Sequence, residues 1–281
     1  MINYDGELLS DTSNFFNATN RGFSHGDALV ETLRIAPRKI YFWEDHYLRL
    51  MASMRILRME IPMNFTMEYL EDQLLKTVKE SGLEDTPVIV RLYVFRKTAE
   101  EGSNRKNEIS FLISPEENTT PFYITQNYSY GIDLYKDHYV QAGMISNLST
   151  VTSILKTIGS VYASENGYED CILLNDGKNV VQTLKGNIFL VNQAQIKTPP
   201  LSDGCENGIL RKKMIELLSK LPEYTLEETS ISPFELQKAD ELFITDIKDG
   251  IQSVTHYRKA IFKTEVAKEL LGKLNAMARL N

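Results

Sequence analysis

One polar break divides the 281-residue chain. Residues 114–121 (SPEENTTP) are rich in turn-forming types, and they separate the apolar run 109–113 from Phe122, Tyr123 and Ile124. Such clusters lie between structural elements rather than inside them. Because domains usually contain about 100–200 residues, a chain of this length has room for two. We therefore predict an N-terminal domain of residues 1–115, a linker of residues 116–122 and a C-terminal domain of residues 123–281.

The N-terminal part mixes strands with amphipathic helices. Two apolar patterns at spacings of three and four residues predict helices: Tyr47, Leu50, Met51, Met54 and Leu57 form the first, and Met67, Leu70, Leu74 and Val78 form the second. Strands are predicted at residues 28–35, 39–42, 88–95 and 108–113, with a solvated charged loop at residues 96–107. This alternation indicates an α/β lobe.

The C-terminal part is richer in strands. Short apolar runs predict strands at residues 171–174, 187–191, 242–245 and 251–254, and longer patterns predict helices at residues 153–165, 208–221 and 263–276. The expected fold class is therefore α/β (α+β), with an N-terminal α/β lobe and a C-terminal β-rich lobe that carries peripheral helices.

The charge and composition exclude several classes of protein. The net charge is −7, and no run of Lys and Arg is long enough to neutralise a row of phosphates, so we expect no nucleic-acid partner. No window approaches the ~18–20 apolar residues of a membrane span, and no secretory signal is visible at the N-terminus. Two cysteines are too few for a disulfide framework or a zinc site. A cytoplasmic location is expected.

One short motif is misleading. Residues 22–26 (GFSHG) satisfy G-x-S-x-G, the nucleophile elbow of serine hydrolases, which requires a turn from a strand into a helix. Few residues precede Ser24, and the residues that follow resemble a strand, so we predict an ordinary turn. The four histidines show no metal-binding spacing, so surface or packing roles are expected and no metal site is predicted.

Seven segments together carry a family resemblance. They occur in order between about residue 20 and residue 255, at residues 21–31, 45–50, 153–157, 169–177, 180–191, 197–201 and 208–211. Each segment is weak evidence alone, but their succession is specific. The chain resembles the class IV (fold-type IV) family of aminotransferases that use pyridoxal phosphate (PLP), which includes branched-chain and D-amino-acid aminotransferases and aminodeoxychorismate lyases. The resemblance implies a homodimer.

The resemblance also implies a set of cofactor-binding residues. The lysine that matches the family's Schiff-base lysine is Lys156, which would also carry the proton between the substrate Cα and the cofactor; local sequence alone would suggest a solvated lysine. Gly208, Ile209 and Leu210 open a helix, whose free N–H groups suit a phosphate, although glycine is also common at helix starts. The remaining matches are the phosphate-binding Arg49, the Asn187 motif and the ring-nitrogen position, Gln182.

Substrate recognition is implied less directly. Arg91 matches a position that binds the substrate carboxylate in some relatives, and Arg34 is a poorer candidate. A structural salt bridge would equally explain an arginine in an apolar strand, because the desolvated charge needs an anionic partner.

Three positions depart from the family pattern. Gln182 replaces a glutamate that binds the protonated pyridine nitrogen, Glu206 replaces an apolar residue that packs on the ring, and Ile247 replaces a threonine that meets the phosphate.

Three functions are compatible with the resemblance and these departures. The favoured one is transfer of an amino group between an amino acid, branched-chain-like or D, and a 2-oxo acid. The others are a 4-amino-4-deoxychorismate lyase and a degenerate PLP-fold protein that only binds.

Overall fold

The computed structural model describes residues 1–97, 107–126 and 128–280, so most of the predicted charged loop lies outside the described residues. The described chain forms two compact units. Unit 1 contains Met1–Phe122 and Ser149–Thr152, and unit 2 contains Tyr123–Leu148 and Ser153–Leu280. No helix among these residues is both long and apolar enough to cross a membrane.

Unit 1 is built on a six-stranded sheet with the strand order β2-β1-β6-β5-β3-β4, and its described strand pairs are antiparallel. The elements are β1 (Ile2–Tyr4), β2 (Glu7–Leu9), α1 (Arg21–His25), β3 (Ala28–Ala36), β4 (Lys39–Ile40), α2 (Trp43–Ile56), α3 (Met67–Glu80), β5 (Val88–Arg96) and β6 (Ile109–Glu117).

The predicted apolar stripes are the buried faces of the two long helices. Leu50, Met51 and Met54 of α2 are buried, and so are Leu70, Leu74 and Val78 of α3. Thr66 fixes the start of α3, because its side chain accepts a hydrogen bond from the N–H of Tyr69. The helices and strands predicted for unit 1 are confirmed, apart from their end residues.

The predicted linker is wrong at its start. Strand β6 continues through Glu117, which pairs with Val88 of β5. Pro115 is tolerated there because β1 pairs with β6 only at Leu112 and Ile113, which leaves β6 with a free edge at Pro115. The chain also returns to unit 1 at residues 149–152, where the N–H of Val30 donates to the carbonyl of Ser149. The second predicted domain is therefore not one continuous segment.

Unit 2 contains two five-stranded sheets, with the orders β12-β11-β10-β13-β14 and β16-β15-β7-β8-β9. Its elements are β7 (Gly131–Leu134), α4 (Ile154–Asn166), β8 (Asp170–Leu174), β9 (Val180–Thr183), β10 (Asn187–Asn192), β11 (Gln195–Thr198), α5 (Ile209–Leu218), β12 (Thr225–Glu228), α6 (Pro233–Leu236), β13 (Glu241–Asp246), β14 (Gly250–Val254), β15 (His256–Tyr257), β16 (Ala260–Ile261) and α7 (Glu265–Leu280).

The two sheets of unit 2 share one apolar core. Ile132 and Ile172 from one sheet and Ile188 and Ile244 from the other belong to the same buried cluster. The opposite face of β8 is also apolar, because Cys171 and Leu173 lie in a second cluster with residues of α4. Burial on both faces explains why the sequence shows short continuous apolar runs instead of strict alternation. Three helices of this unit, α4, α5 and α7, pack on the strands, as expected for a β-rich lobe with peripheral helices.

Candidate active site

Lys156 lies in the first turn of α4, the helix that packs on β8. Its amine nitrogen Nζ is 2.7 Å from Oε2 of Glu206. The Lys156 side chain is 36% exposed and the Glu206 side chain 23%, so the pair is neither fully solvated nor sealed in the core. A partly exposed amine with a single anionic contact can be reached by a small molecule.

The backbone of Glu206 is held from both sides by carboxamide side chains. Its N–H donates to Oε1 of Gln182 at 2.6 Å, and its carbonyl accepts from Nδ2 of Asn187 at 2.9 Å. Gln182 and Asn187 are only 5% and 4% exposed, and they belong to β9 and β10. A buried hydrogen bond of this kind contributes about 0.5–1.5 kcal/mol. Two adjacent strands thus fix the turn that carries Glu206.

Gly208 is the N-cap of α5, and it has no room for a side chain. A Cβ at this position would collide with Oδ1 of Asn187. In the described part of the chain, no group accepts a hydrogen bond from the N–H of Ile209 or Leu210. These free N–H groups and the positive end of the helix dipole favour an anion.

The end of β13 adds a buried hydroxyl and an acid. Thr245 pairs with Asn187 across the sheet, and its Oγ1 is buried without a partner among the described residues. Asp246 accepts hydrogen bonds from the N–H groups of Lys248 and Asp249. Burial raises the pKa of Asp246 to about 6, and the charges of Asp249 and Glu206 add to the shift. Within this part of the chain the buried hydroxyl is left unsatisfied, and the nearby carboxylates disfavour further negative charge.

Arg49 of unit 1 is held by an anion of its own chain. Its Nε lies 2.9 Å from Oε1 of Glu31 and its Nη2 lies 2.6 Å from Oε2 of Glu31, while Nδ1 of His46 lies 2.7 Å from Oε2. Burial would raise the pKa of Glu31, but the charge of Arg49 and the hydrogen bond of His46 outweigh it and lower this pKa. The phosphate role of Arg49 stays a prediction, and this triad was not visible in the sequence.

The two arginines predicted to bind the substrate carboxylate, Arg34 and Arg91, both have partners within unit 1. Arg34 is buried and donates from Nη2 to the carbonyls of Thr120 and Phe122 at 2.6 and 2.9 Å. Arg91 is partly exposed and pairs with Glu116 at 3.0 Å. The salt-bridge interpretation therefore explains Arg91, and recognition of a substrate carboxylate by either arginine stays a prediction.

The G-x-S-x-G motif is not a nucleophile elbow. Its first four residues, with Arg21, form the short helix α1, so the predicted plain turn is wrong. The helix forms because Asn20 accepts from the N–H of Phe23 and because Gly26 adopts a left-handed conformation that ends it. Ser24 precedes strand β3, whereas an elbow serine follows a strand.

Comparisons with known proteins identify the family of this chain. The family described as amino-transferase class IV matches residues 28–257. A protein of Methanocaldococcus jannaschii assigned as a branched-chain-amino-acid aminotransferase is 25% identical over 97% of this chain and 93% of its own length. The aminodeoxychorismate lyase of Vibrio harveyi is 20% identical over 84% of this chain and 85% of its own.

The fold is also found among solved structures. The crystal structure of a branched-chain aminotransferase from Thermoproteus uzoniensis with norvaline superimposes with a TM-score of 0.86, covering 98% of this chain and 93% of that chain at 22% identity. The expected fold class is thereby confirmed.

The two hydrogen bonds that join Gln182 and Asn187 to the backbone of Glu206 form a clamp. Gly208→Ala tests this clamp. The backbone of Gly208 has a φ that alanine adopts easily, so the only cost is the collision with Asn187. We expect the free energy of unfolding, measured by urea denaturation, to fall by roughly 1–3 kcal/mol. Gly272→Ala is the control, because Gly272 lies in α7 with open space around it and alanine there should be neutral or stabilising by up to about 1 kcal/mol. Equal effects of the two substitutions would contradict the clamp.

His46→Asn tests the buried triad through pH. Burial lowers the pKa of His46 below its usual 6.5, although Glu31 opposes the shift. As the pH falls below about 6.5, the His46 side chain therefore takes up a proton in the unfolded state before it does so in the folded state. The free energy of unfolding consequently falls, by at most about 1.4 kcal/mol per pH unit. Asparagine can still donate to Glu31 but does not titrate.

We expect the free energy of unfolding, measured between pH 7.5 and 5.5, to decline less in His46→Asn than in the parent. His25→Asn, at an exposed histidine, should leave the decline unchanged. An unaltered pH slope in His46→Asn would show that His46 is not the titrating group.

Proposed function

Because the chain belongs to the amino-transferase class IV family, we propose that it is a PLP-dependent enzyme that moves an amino group between an amino acid and a 2-oxo acid, with Lys156 as the residue that binds the cofactor. The observation that carries this proposal is the contact between Lys156 and Glu206. Glu206 stands two residues before Gly208, so the amine lies beside the turn that leads into the free end of α5.

The residues present fit this cofactor. The free N–H groups of Ile209 and Leu210 suit its phosphate, and the unpartnered hydroxyl of Thr245 offers a further polar contact in the same unit. The Lys156 amine suits its aldehyde, because the amine is partly exposed. The carboxylates of Glu206 and Asp246 oppose a phosphate, but in the described part of the chain neither accepts a hydrogen bond from the N–H groups of Ile209 or Leu210.

When bound, PLP supplies an aldehyde that amines attack and a ring that withdraws electrons from the substrate Cα. Lys156 must lose a proton before its nitrogen can bond to carbon. Oε2 of Glu206, 2.7 Å from Nζ, is placed to hold that proton. When not bonded to the cofactor, the same amine would be the base that moves the proton from the substrate Cα. Gln182 and Asn187 orient the Glu206 turn throughout, through its two backbone groups.

We infer the substrate class from the relatives. Both the protein of M. jannaschii and the solved structure of T. uzoniensis carry names of branched-chain aminotransferases, and the latter was solved with norvaline. These names support an amino acid with an aliphatic side chain as donor. The proposal covers donors of L or D configuration and takes a 2-oxo acid such as 2-oxoglutarate as acceptor.

A second candidate is a 4-amino-4-deoxychorismate lyase. The neutral Gln182 favours it, because elimination expels negative charge with the leaving group, whereas transamination depends more on the ring to hold that charge. The similarity to the V. harveyi lyase supports the same reading. In that reaction pyruvate is released without an oxo-acid acceptor.

We also propose that the protein acts as a homodimer in the cytoplasm. Four large apolar side chains of unit 2 are 54–69% exposed, and they lie close together in the sequence: Met144, Ile145, Ile154 and Val161. A dimer interface would remove exposed apolar groups of this kind from water. Sedimentation should give twice the chain mass, and Ile145→Asp should lower the mass toward that of the monomer. A monomeric parent would contradict the dimer.

The two buried free cysteines are compatible with the reducing compartment of the cytoplasm.

Lys156→Ala is the direct test of the proposed function. Purified protein incubated with PLP should gain a visible absorption band that borohydride removes, and mass spectrometry should then find the cofactor mass on the peptide that contains Lys156. Lys156→Ala should show neither signal and should lose at least about a thousandfold of any activity, because it removes the amine that would bond to the cofactor. Lys136→Ala, at an exposed lysine, should behave like the parent.

The activity assay separates the candidates. Amino transfer to 2-oxoglutarate from aliphatic amino acids supports the aminotransferase, whereas pyruvate release from aminodeoxychorismate without an acceptor supports the lyase. A parent protein that gains no absorption band would favour the degenerate protein that only binds other ligands.

A further inference from the structure

The orientation of the Gln182 side chain is fixed by its partner. The backbone N–H of Glu206 can only donate a hydrogen bond, and it lies 2.6 Å from Oε1 of Gln182. Rotating the carboxamide by half a turn would bring its NH2 group against that N–H, donor against donor. Because Gln182 is buried, such a mismatch would have no water to relieve it. The oxygen is therefore committed to Glu206.

The NH2 group is therefore the part of the Gln182 carboxamide that remains to bind a ligand. Within the described residues no acceptor is bonded to its Nε2, and Nε2 is not among the buried polar atoms that lack a partner. This nitrogen therefore keeps some access to space outside the protein. Charged groups at the turn include Lys156, Glu206 and Asp246. The Glu206 carboxylate contacts the Lys156 amine, and among the described residues none of these three side chains is hydrogen-bonded to the Gln182 amide.

We propose that Gln182 donates its NH2 group to the pyridine nitrogen of the cofactor and so holds that nitrogen in its unprotonated form. This inference rests on the proposed function, because it requires PLP to bind at Lys156. A ring nitrogen can accept a hydrogen bond only through its lone pair, so a donor at this position excludes the protonated ring. A glutamate at 182 would do the opposite: one oxygen would accept from Glu206, and the other would accept from the protonated nitrogen.

The consequence is a weaker electron sink. A protonated ring withdraws more charge from the substrate Cα than an unprotonated one, and it would be held by a charge-assisted hydrogen bond instead of a neutral one. If that difference appears fully in the transition state, proton removal from Cα is roughly five- to thirtyfold slower than with a glutamate at 182. Gln182 is thus a residue that sets the electronic state of the cofactor.

The test reads the protonation state of the ring directly. The protein is loaded with PLP carrying ¹⁵N in the ring, and ¹⁵N NMR distinguishes protonated from unprotonated pyridine nitrogen. We expect an unprotonated nitrogen in the parent and a protonated one in Gln182→Glu, which retains the acceptor for Glu206 and therefore the fold of the turn. Gln237→Glu makes the same change at an exposed glutamine of unit 2 and should leave the resonance as in the parent.

A protonated nitrogen in the parent would overturn the inference while leaving the proposed function intact. An unprotonated nitrogen in Gln182→Glu would also overturn it, because residue 182 would then not decide the state of the ring. Failure of the parent to attach PLP at Lys156 would overturn both proposals, and the mass of the borohydride-treated peptide identifies that case.

A second measurement uses only the parent protein and no catalysis. The cofactor analogue with CH in place of the ring nitrogen cannot accept from Gln182 but keeps the aldehyde and the phosphate. Loss of one neutral hydrogen bond should weaken its binding to the cofactor-free protein roughly two- to tenfold relative to PLP. Equal dissociation constants for the two compounds would contradict a hydrogen bond from Gln182.

Discussion

The site depends on the backbone of one residue, Glu206, because both its N–H and its carbonyl are hydrogen-bonded by carboxamides from two consecutive strands, β9 and β10. Gln182 accepts from the N–H of Glu206 and Asn187 donates to its carbonyl. This clamp sets where the Glu206 carboxylate meets Lys156, and it sets where Gly208 begins α5. Two buried carboxamides therefore position an amine contact and a helix N-terminus at the same turn.

The departures from the family pattern are connected in the structure. Glutamine at 182 removes a carboxylate from the ring-nitrogen position, and glutamate at 206 introduces one whose backbone is hydrogen-bonded to that glutamine. The negative charge has thus moved from the ring side of the turn to the amine side. In the proposed function Glu206 contacts the amine of Lys156, and Gln182 would hold the neutral ring. Both changes leave the N–H groups of Ile209 and Leu210 at the start of α5 without an acceptor among the described residues.

Much of the fold follows from local pattern in the sequence. The spacing of Leu70, Leu74 and Val78 predicts the buried face of α3, and the apolar runs of unit 2 predict strands of a shared core. The return of residues 149–152 to unit 1 has no such signal, because strand pairing between distant segments leaves no periodicity. Pro115 suggested a loop, but a proline at a free sheet edge costs no ladder hydrogen bond.

The site was predicted less completely than the fold. Order and spacing of the seven segments identify Lys156, Gly208 and Gln182 as candidates, yet they say nothing about side-chain contacts. The Lys156–Glu206 pair joins residues 50 apart in the sequence, and the Glu31–His46–Arg49 triad joins a strand to a helix. Such contacts depend on how elements pack and on the direction of each side chain, so they required the three-dimensional structure.

A crystal structure of the protein grown with excess PLP tests the central claim most directly. The account predicts continuous electron density from Nζ of Lys156 into the cofactor, with the phosphate within hydrogen-bond distance of the N–H groups of Ile209 and Leu210. It would be contradicted by a Lys156 that stays paired with Glu206 while the end of α5 holds no phosphate.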